Sequence, residues 1–247
     1  MTVTGPGERP FDAVLCDLDN VIRFYDLTLL TALEREAGLA EGTTTRVAYT
    51  PETDLPLLLG LIGKEEWVEA VALELGRLGD LGEPVAEPRA RELATALAEA
   101  PSRADAVVVA LLRRIREHMP LVLVTNAPLW VESDLESLGL TGLAHHVVSS
   151  ARVGVAKPDP AIYEIAAARA GTDAERCLFV DDRTENVEAA VALGMTGVHY
   201  RGPEDLRRVW DSAAVGRPSR SPATESATSR CASRSASPTA TDARTSS

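Results

Sequence analysis

Two aspartates directly follow an apolar run near the start of the chain, in the stretch VLCDLD. Asp17 and Asp19 lie two residues apart, and a second acidic pair, Asp181 and Asp182, follows the apolar run CLFV. Like charges this close together cost free energy unless a cation joins them. A set of carboxylate oxygens favours a hard cation, so the two pairs predict a Mg²⁺ site.

Other polar residues also stand where apolar runs end. Thr125 and Asn126 close the run LVLVTN, and Lys157, one of only two lysines, lies in VGVAKPDPAIY. In an open parallel sheet, ligands bind outside the carboxyl ends of the strands, so we expect these side chains to share one rim with the acids. Mg²⁺, a lysine and a hydroxyl together would receive a phosphoryl group, which a free carboxylate could attack.

The order of the elements predicts what positions this rim. From residue 119 onward, short apolar runs alternate with helical patterns, which is typical of a parallel sheet covered on both faces. We therefore expect a three-layer α/β/α, Rossmann-like core formed by residues 1–24 and 119–212. Residues 25–118 read as almost entirely helical and predict an inserted helical cap. Residues 213–247 are rich in Ser, Arg and Pro, which predicts a disordered tail.

Composition and charge restrict the classes of partner that the chain could bind. The chain has 247 residues, is 45% hydrophobic and carries a formal net charge of −12, which disfavours nucleic acid and anionic membranes as partners. No apolar run approaches the ~20 residues of a membrane span, and no signal peptide is visible. The three cysteines are far apart in sequence, which indicates a reducing compartment. We therefore expect a cytoplasmic protein.

Four stretches, taken in order, resemble the motifs of the haloacid dehalogenase (HAD) superfamily. These are CDLDNV, LVLVTNA, VGVAKPDPAIY and FVDDRTENVEAAVALGM, and the resemblance spans residues 12 to about 211. It implies a three-layer fold with a helical cap inserted after the first motif. It also implies a phosphatase-type hydrolase that uses Mg²⁺ and an aspartyl-phosphate intermediate to release phosphate from a small phosphorylated metabolite.

The resemblance assigns roles to individual residues. Asp17 resembles the nucleophile, and Asp19 resembles the general acid and base. Thr125 and Asn126 resemble the phosphate-binding pair, and Lys157 resembles the lysine that holds nucleophile and phosphate together.

The same resemblance implies the ligands of the metal. Mg²⁺ would be held by the Asp17 carboxylate, the Asp19 backbone carbonyl and Asp182, with Asp181 in a supporting role and Asn186 orienting the outer shell. The dehalogenases of the superfamily lack an acid at the position of Asp19. Its presence here favours phosphoryl chemistry.

Two alternatives share parts of this pattern. A phosphomutase of sugar phosphates would use the same aspartate pair and a similar cap. A phospho-accepting receiver domain also combines Asp, Thr and Lys at sheet ends, but its paired acids come early in the chain, whereas here the second pair follows the lysine. Arg23, Phe24 and Tyr25 either line the substrate pocket or form the hinge into the cap.

Overall fold

The centre of the molecule is a five-stranded parallel sheet. The structure is a computed structural model that describes residues 10–78 and 85–214. Its strands are β1 (Ala13–Cys16), β2 (Arg23–Tyr25), β3 (Ser102–Ala104), β4 (Leu121–Thr125), β5 (His146–Ser149), β6 (Cys177–Asp181) and β7 (Thr196–His199). The sheet has the order β5-β4-β1-β6-β7, and every neighbouring pair is parallel. β1 therefore lies in the middle, between β4 and β6.

The three central strands, β1, β4 and β6, are apolar up to their last residues because both faces of the sheet are covered. Val14 and Cys16 point into one apolar cluster, while Ala13 and Leu15 point into a second cluster on the opposite face. All four side chains are fully buried. Successive side chains of a strand point to opposite faces, and both faces are buried here. The sequence therefore shows continuous apolar runs and no alternation with polar residues.

Helices cover each face of the sheet. The helices are α1 (Thr28–Glu36), α2 (Thr43–Ala48), α3 (Pro51–Leu58), α4 (Lys64–Arg77), α5 (Glu87–Ala98), α6 (Ala106–Arg116), α7 (Val131–Ser137), α8 (Ser150–Val153), α9 (Pro160–Ala170), α10 (Thr184–Ala192) and α11 (Pro203–Ala214). Apolar residues of α6, α7 and α11 join the first cluster, and those of α9 and α10 join the second. The predicted three-layer α/β/α fold is confirmed.

Helices α1 to α5 form a helical insertion with an apolar cluster of its own. Trp67, Leu75 and Leu93 lie in this cluster, and Trp67 is only 5% exposed, so its ring packs in the core of the insertion. The insertion approaches the sheet layers closely at Gly60, which has φ +71° and where an added Cβ would lie 2.8 Å from the Ala151 carbonyl oxygen. Only glycine fits there without strain.

The helical insertion begins and ends at a short antiparallel pair. β2 pairs with β3, so Tyr25 stands opposite Ser102. The chain then enters α6, whose N-cap Asp105 accepts hydrogen bonds from the backbone N–H groups of Val107 and Val108. Helix α6 packs in the first sheet cluster, and α5 is the last helix of the insertion's own cluster. The predicted end of the cap at residue 118 therefore lies one helix beyond that cluster.

The predictions about membrane spans and about the tail can be compared with the described residues only. Within residues 10–78 and 85–214, no helix is both long enough and apolar enough to cross a membrane. The tail predicted at residues 213–247 lies almost wholly outside the described residues, apart from the end of α11.

Candidate active site

The polar residues predicted from the strand ends converge at the carboxyl edge of the sheet. Asp17 directly follows β1, Thr125 is the last residue of β4, and Asp181 is the last residue of β6. Since β4 and β6 flank β1, these three positions are neighbours. Asp17, Thr125 and Asp181 are 5%, 1% and 0% exposed, so their polar groups must find partners inside the protein.

Lys157 joins the two acids. Its Nζ lies 2.7 Å from Asp17 Oδ1 and 2.7 Å from Asp181 Oδ2, and the residue is 5% exposed. Burial alone would lower the pKa of this amine, but the two carboxylates outweigh burial and raise it. Lys157 therefore stays protonated and holds the Asp17 carboxylate in place.

Opposing effects act on the pKa of the Asp17 carboxyl group. Burial raises its pKa to about 7, the charge of Lys157 opposes this rise, and the charges of Asp181 and Asp19 add to it. The backbone N–H of Leu18 donates to Asp17 Oδ1 at 2.7 Å. Any further positive charge at this oxygen would lower the pKa and favour the ionised form, which is the form that can act as a nucleophile.

Asn126 positions the lysine through its backbone. The Asn126 side-chain amide donates to the Lys157 carbonyl at 2.9 Å, and its side-chain oxygen accepts from the Lys157 N–H at 2.7 Å. The neighbouring Thr125 hydroxyl is buried and has no hydrogen-bond partner. An orphaned buried hydroxyl costs free energy in the absence of a ligand, so this oxygen fits a bound anion such as phosphate.

The two residues of the second acidic pair lie in different environments. Asp181 accepts from Lys157, from the backbone N–H of Arg183 at 2.8 Å and from the side-chain amide of Asn186 at 3.0 and 3.1 Å. Asp182 is only partly buried, and this burial raises its pKa. One oxygen each from Asp17, Asp181 and Asp182 lies within 4.8 Å of the others, a spacing that a single cation could bridge.

The carboxylate of Asp19 does not join this cluster, contrary to the expectation that four carboxylates share one site. Strand β1 ends at Cys16, and the chain then turns through Asn20, which has φ +58°. Asp17 and Asp19 therefore lie beyond the strand, where the alternation that would point residues two apart the same way does not apply. Asparagine tolerates this left-handed backbone conformation better than most residues do.

Arg23 holds the Asp19 side chain instead. Its Nε and one terminal nitrogen donate to the two carboxylate oxygens at 2.5 and 2.9 Å, and its other terminal nitrogen donates to Asp134 at 2.9 Å. Arg23 is 2% exposed. Neither this bidentate pair nor the contact with Asp134 is predicted from the sequence. The spacing of four residues between Asp19 and Arg23 was the available signal, but residue 134 is remote in sequence.

The fold and the strand-end acids define a class: a three-layer α/β protein with an acidic, lysine-braced site at the carboxyl edge of its sheet. A family model described as haloacid dehalogenase-like hydrolase matches residues 11–194. This match covers most of the chain, which therefore belongs to the haloacid dehalogenase-like hydrolases, as the motifs predicted.

Curated relatives are similar over different lengths. Phosphatase MT3486 of Mycobacterium tuberculosis is 31% identical over 199 residues, which cover 74% of this chain and 84% of that protein. Flavin mononucleotide hydrolase 1 of Arabidopsis thaliana is 31% identical over 34% of each chain. Sesquiterpene phosphatase astK of Aspergillus oryzae is 35% identical over 39% of this chain and 50% of that protein. This chain thus spans half or less of the last two relatives.

Solved structures share the fold at low sequence identity. A HAD family enzyme of Bacteroides thetaiotaomicron, solved with magnesium and inorganic phosphate, has a TM-score of 0.52 at 19% identity, covering 75% of this chain and 92% of that one. An L-2-haloacid dehalogenase of Xanthobacter autotrophicus has a TM-score of 0.55 at 21% identity, covering 82% and 83%. These structures show a shared fold, and a fold alone does not specify the reaction, so the chemistry must be argued from the site residues.

Proposed function

We propose that this protein is a Mg²⁺-dependent phosphatase that cleaves a small phosphomonoester through an aspartyl-phosphate on Asp17. One observation carries the proposal: the buried Asp17 carboxylate is braced by Lys157 beside a Thr125 hydroxyl that has no partner. A carboxylate, an ammonium and a free hydroxyl donor at one strand edge are the groups that a transferring phosphoryl group requires. The relatives named as phosphatases support this choice.

The residues at the rim fit Mg²⁺. One oxygen of Asp17 and one of Asp182 lie within 4.8 Å of each other, while Asp181 is already bonded to Lys157, Asn186 and the Arg183 backbone. We therefore assign direct coordination to Asp17 and Asp182 and assign Asp181 the role of anchoring the lysine; the resemblance to the superfamily adds the Asp19 backbone carbonyl as a third ligand. When bound, Mg²⁺ would neutralise phosphate charge and allow a carboxylate to approach phosphorus.

The chain's own residues account for the two half-reactions. Asp17 attacks phosphorus, the bond from phosphorus to the ester oxygen breaks, and the leaving alcohol takes a proton from Asp19. Asp19 then removes a proton from a water molecule, which attacks the phosphorus and releases phosphate from Asp17. In this structure Arg23 donates to both Asp19 oxygens, and each oxygen keeps a second lone-pair site at which a proton can be held.

The substitution Asp17→Asn tests the proposal. An amide cannot attack phosphorus and is a weaker metal ligand, so we expect phosphate release from a panel of phosphomonoesters to fall below detection. Asp12→Asn is a matched control, because Asp12 precedes β1 at the opposite end and pairs on the surface with Arg176. Circular dichroism would confirm that both variants fold. Phosphate release by folded Asp17→Asn at a rate near that of the wild type would refute the assignment.

A further inference from the structure

A buried arginine lies between two carboxylates next to the proposed nucleophile. Arg23 donates through Nε and one terminal nitrogen to the two oxygens of Asp19, and through its other terminal nitrogen to Asp134 at 2.9 Å. The Arg23 side chain is 3% exposed, whereas the side chains of Asp19 and Asp134 are 30% and 33% exposed. A buried guanidinium that is bonded to carboxylates on two sides has little freedom to move.

The two ends of Arg23 are anchored in different parts of the fold. Its backbone N–H donates to the Leu18 carbonyl at 2.8 Å, and its carbonyl accepts from the Asn20 N–H at 2.8 Å, so the loop that follows β1 fixes its main chain. Asp134 belongs to α7, whose buried residues pack in the first sheet cluster. The Arg23 side chain therefore connects this loop to a helix that covers the sheet.

The bidentate contact with Arg23 fixes the Asp19 carboxylate and leaves it able to react. Each Asp19 oxygen accepts one hydrogen bond from Arg23 and keeps a second lone-pair site. Since the guanidinium is buried and the carboxylate is partly exposed, the guanidinium covers one side of the carboxylate and the other side stays accessible. Rotation of the carboxylate would break both bonds at once, so the contact with Arg23 sets the direction in which the accessible side points.

Phosphate binding is not the role that these contacts favour for Arg23. Three of its N–H groups donate to carboxylates, and its guanidinium lies 5.0 Å from the centre of the Tyr25 ring. A substrate phosphate would have to displace one of the carboxylates, which costs free energy because that carboxylate would lose its partner. Lys157 and the unpartnered Thr125 hydroxyl are the groups that remain for the phosphate.

We propose that Asp134 is a positioning residue: it fixes the Arg23 guanidinium, which in turn holds the Asp19 carboxylate in the orientation that proton transfer requires. The proposal rests on the proposed phosphatase function and adds α7 to the elements that build the site. Asp134 acts through Arg23 and takes no part in the bond changes. Orientation contributes much of the effect of a catalytic group, and a displacement of about 1 Å can cost about 10²-fold in rate.

The substitution Asp134→Ala tests this role, because it removes a partly exposed side chain and leaves Asp19 and Arg23 in place. We expect kcat for an alkyl phosphate to fall by about tenfold or more, with KM and Mg²⁺ affinity nearly unchanged, since the groups that bind phosphate and metal are untouched. Asp134→Asn keeps an acceptor oxygen and should recover part of the loss. Glu132→Ala is the matched control, because this acid lies on the same helix but pairs with Arg152.

A double-mutant cycle separates positioning from a general structural effect. If Asp134 acts through Asp19, then Asp134→Ala should change the residual turnover of Asp19→Asn by less than about twofold. A merely structural effect would lower turnover by the same factor in both backgrounds. Equal factors in the two backgrounds, or a wild-type kcat in Asp134→Ala, would overturn the proposal.

The Nε–H proton of Arg23 provides a measurement that requires no substrate. This proton is buried and bonded to Asp19, so its NMR signal, assigned through the bonds of the arginine side chain, should exchange slowly with water. We expect exchange to accelerate by about tenfold or more in Asp134→Ala and to stay unchanged in Glu132→Ala. If the wild type hydrolyses no phosphomonoester, the proposed function fails and this measurement alone judges whether Asp134 fixes Arg23. Equal exchange rates in Asp134→Ala and the wild type would refute that role.

Discussion

Protons and Mg²⁺ compete for the carboxylate of Asp17. Burial raises its pKa to about 7, above its usual value of 3.8. Below that pKa the folded protein holds a proton on Asp17, and this proton must leave before a cation can bind. Acidification therefore weakens the binding of Mg²⁺.

We expect Mg²⁺ affinity to fall towards about tenfold per pH unit below pH 7 and to change little above about pH 8. Isothermal titration calorimetry in two buffers of different ionisation enthalpy would measure both the affinity and the released proton. Asp12→Asn should behave as the wild type. Affinity that stays constant between about pH 5.5 and 8 would contradict the assignment of Asp17 as a ligand.

Asp19 separates the metal site from the acid–base role. Because Arg23 holds its carboxylate away from the acidic cluster, we expect Asp19→Asn to retain Mg²⁺ affinity. Turnover of alkyl phosphates should fall by about 10²–10⁴-fold, the usual contribution of general acid–base catalysis. p-Nitrophenyl phosphate should be partly spared in the first step, since its leaving group needs little protonation, and phosphorylated Asp17 should then accumulate.

Intact mass spectrometry after rapid quench would detect that phospho-enzyme, and calorimetry would report Mg²⁺ affinity. Loss of Mg²⁺ binding in Asp19→Asn would make the side chain a metal ligand. Unchanged turnover of both ester types would remove Asp19 from the acid–base role.

At the scale of elements, the sequence predicted the strands that are buried on both faces of the sheet. Continuous apolar runs marked the parallel strands of the sheet, and the polar residues at their ends marked the rim. The pair β2–β3 was not visible, because three-residue strands are too short to show a period. The apolar stripe of α6 predicted a buried helix, but such a stripe does not specify which cluster buries it.

Glu34 supports the helical insertion from within. It is 1% exposed, and its two carboxylate oxygens accept the backbone N–H groups of Gly42 and Thr44 at 2.8 and 2.6 Å, at the start of α2. The orphan N–H groups of a helix start are thus satisfied by a charge that complements the helix dipole.

We expect Glu34→Gln to destabilise the protein by about 2 kcal/mol, because one of these charge-assisted bonds is lost and leaves a buried N–H unpaired. For a chain of this size, that corresponds to a fall in Tm of about 4–8 °C. Thermal unfolding followed by circular dichroism would measure it. Glu36→Gln, on the same helix but exposed, is the matched control, and equal Tm values for the two variants would refute the role of Glu34.

At the scale of the whole molecule, Mg²⁺ should act as a stabiliser. The folded protein gathers three carboxylates whose oxygens lie within 4.8 Å, and the unfolded chain disperses them. Binding to the folded state alone contributes about 2.7 kcal/mol at a concentration a hundred times the Kd. We therefore expect Tm to rise by about 5–10 °C under that condition.

Differential scanning fluorimetry with added MgCl₂ would measure this rise, and NaCl of equal ionic strength would control for screening of the net charge of −12. Asp17→Asn should lose most of the rise. An equal rise with NaCl would assign the effect to screening and not to a bound ion.

The burial of Lys157 has a consequence for chemical labelling. The chain has only two lysines, and the Lys157 amine is enclosed by two carboxylates, whereas Lys64 is half-buried and lies over the ring of Trp130. An acylating reagent therefore modifies Lys64 while the rim of the sheet is intact, because a shielded ammonium is not a nucleophile. Acylation of Lys157 requires the rim to open, so this side chain reports local unfolding at the place where phosphate would bind.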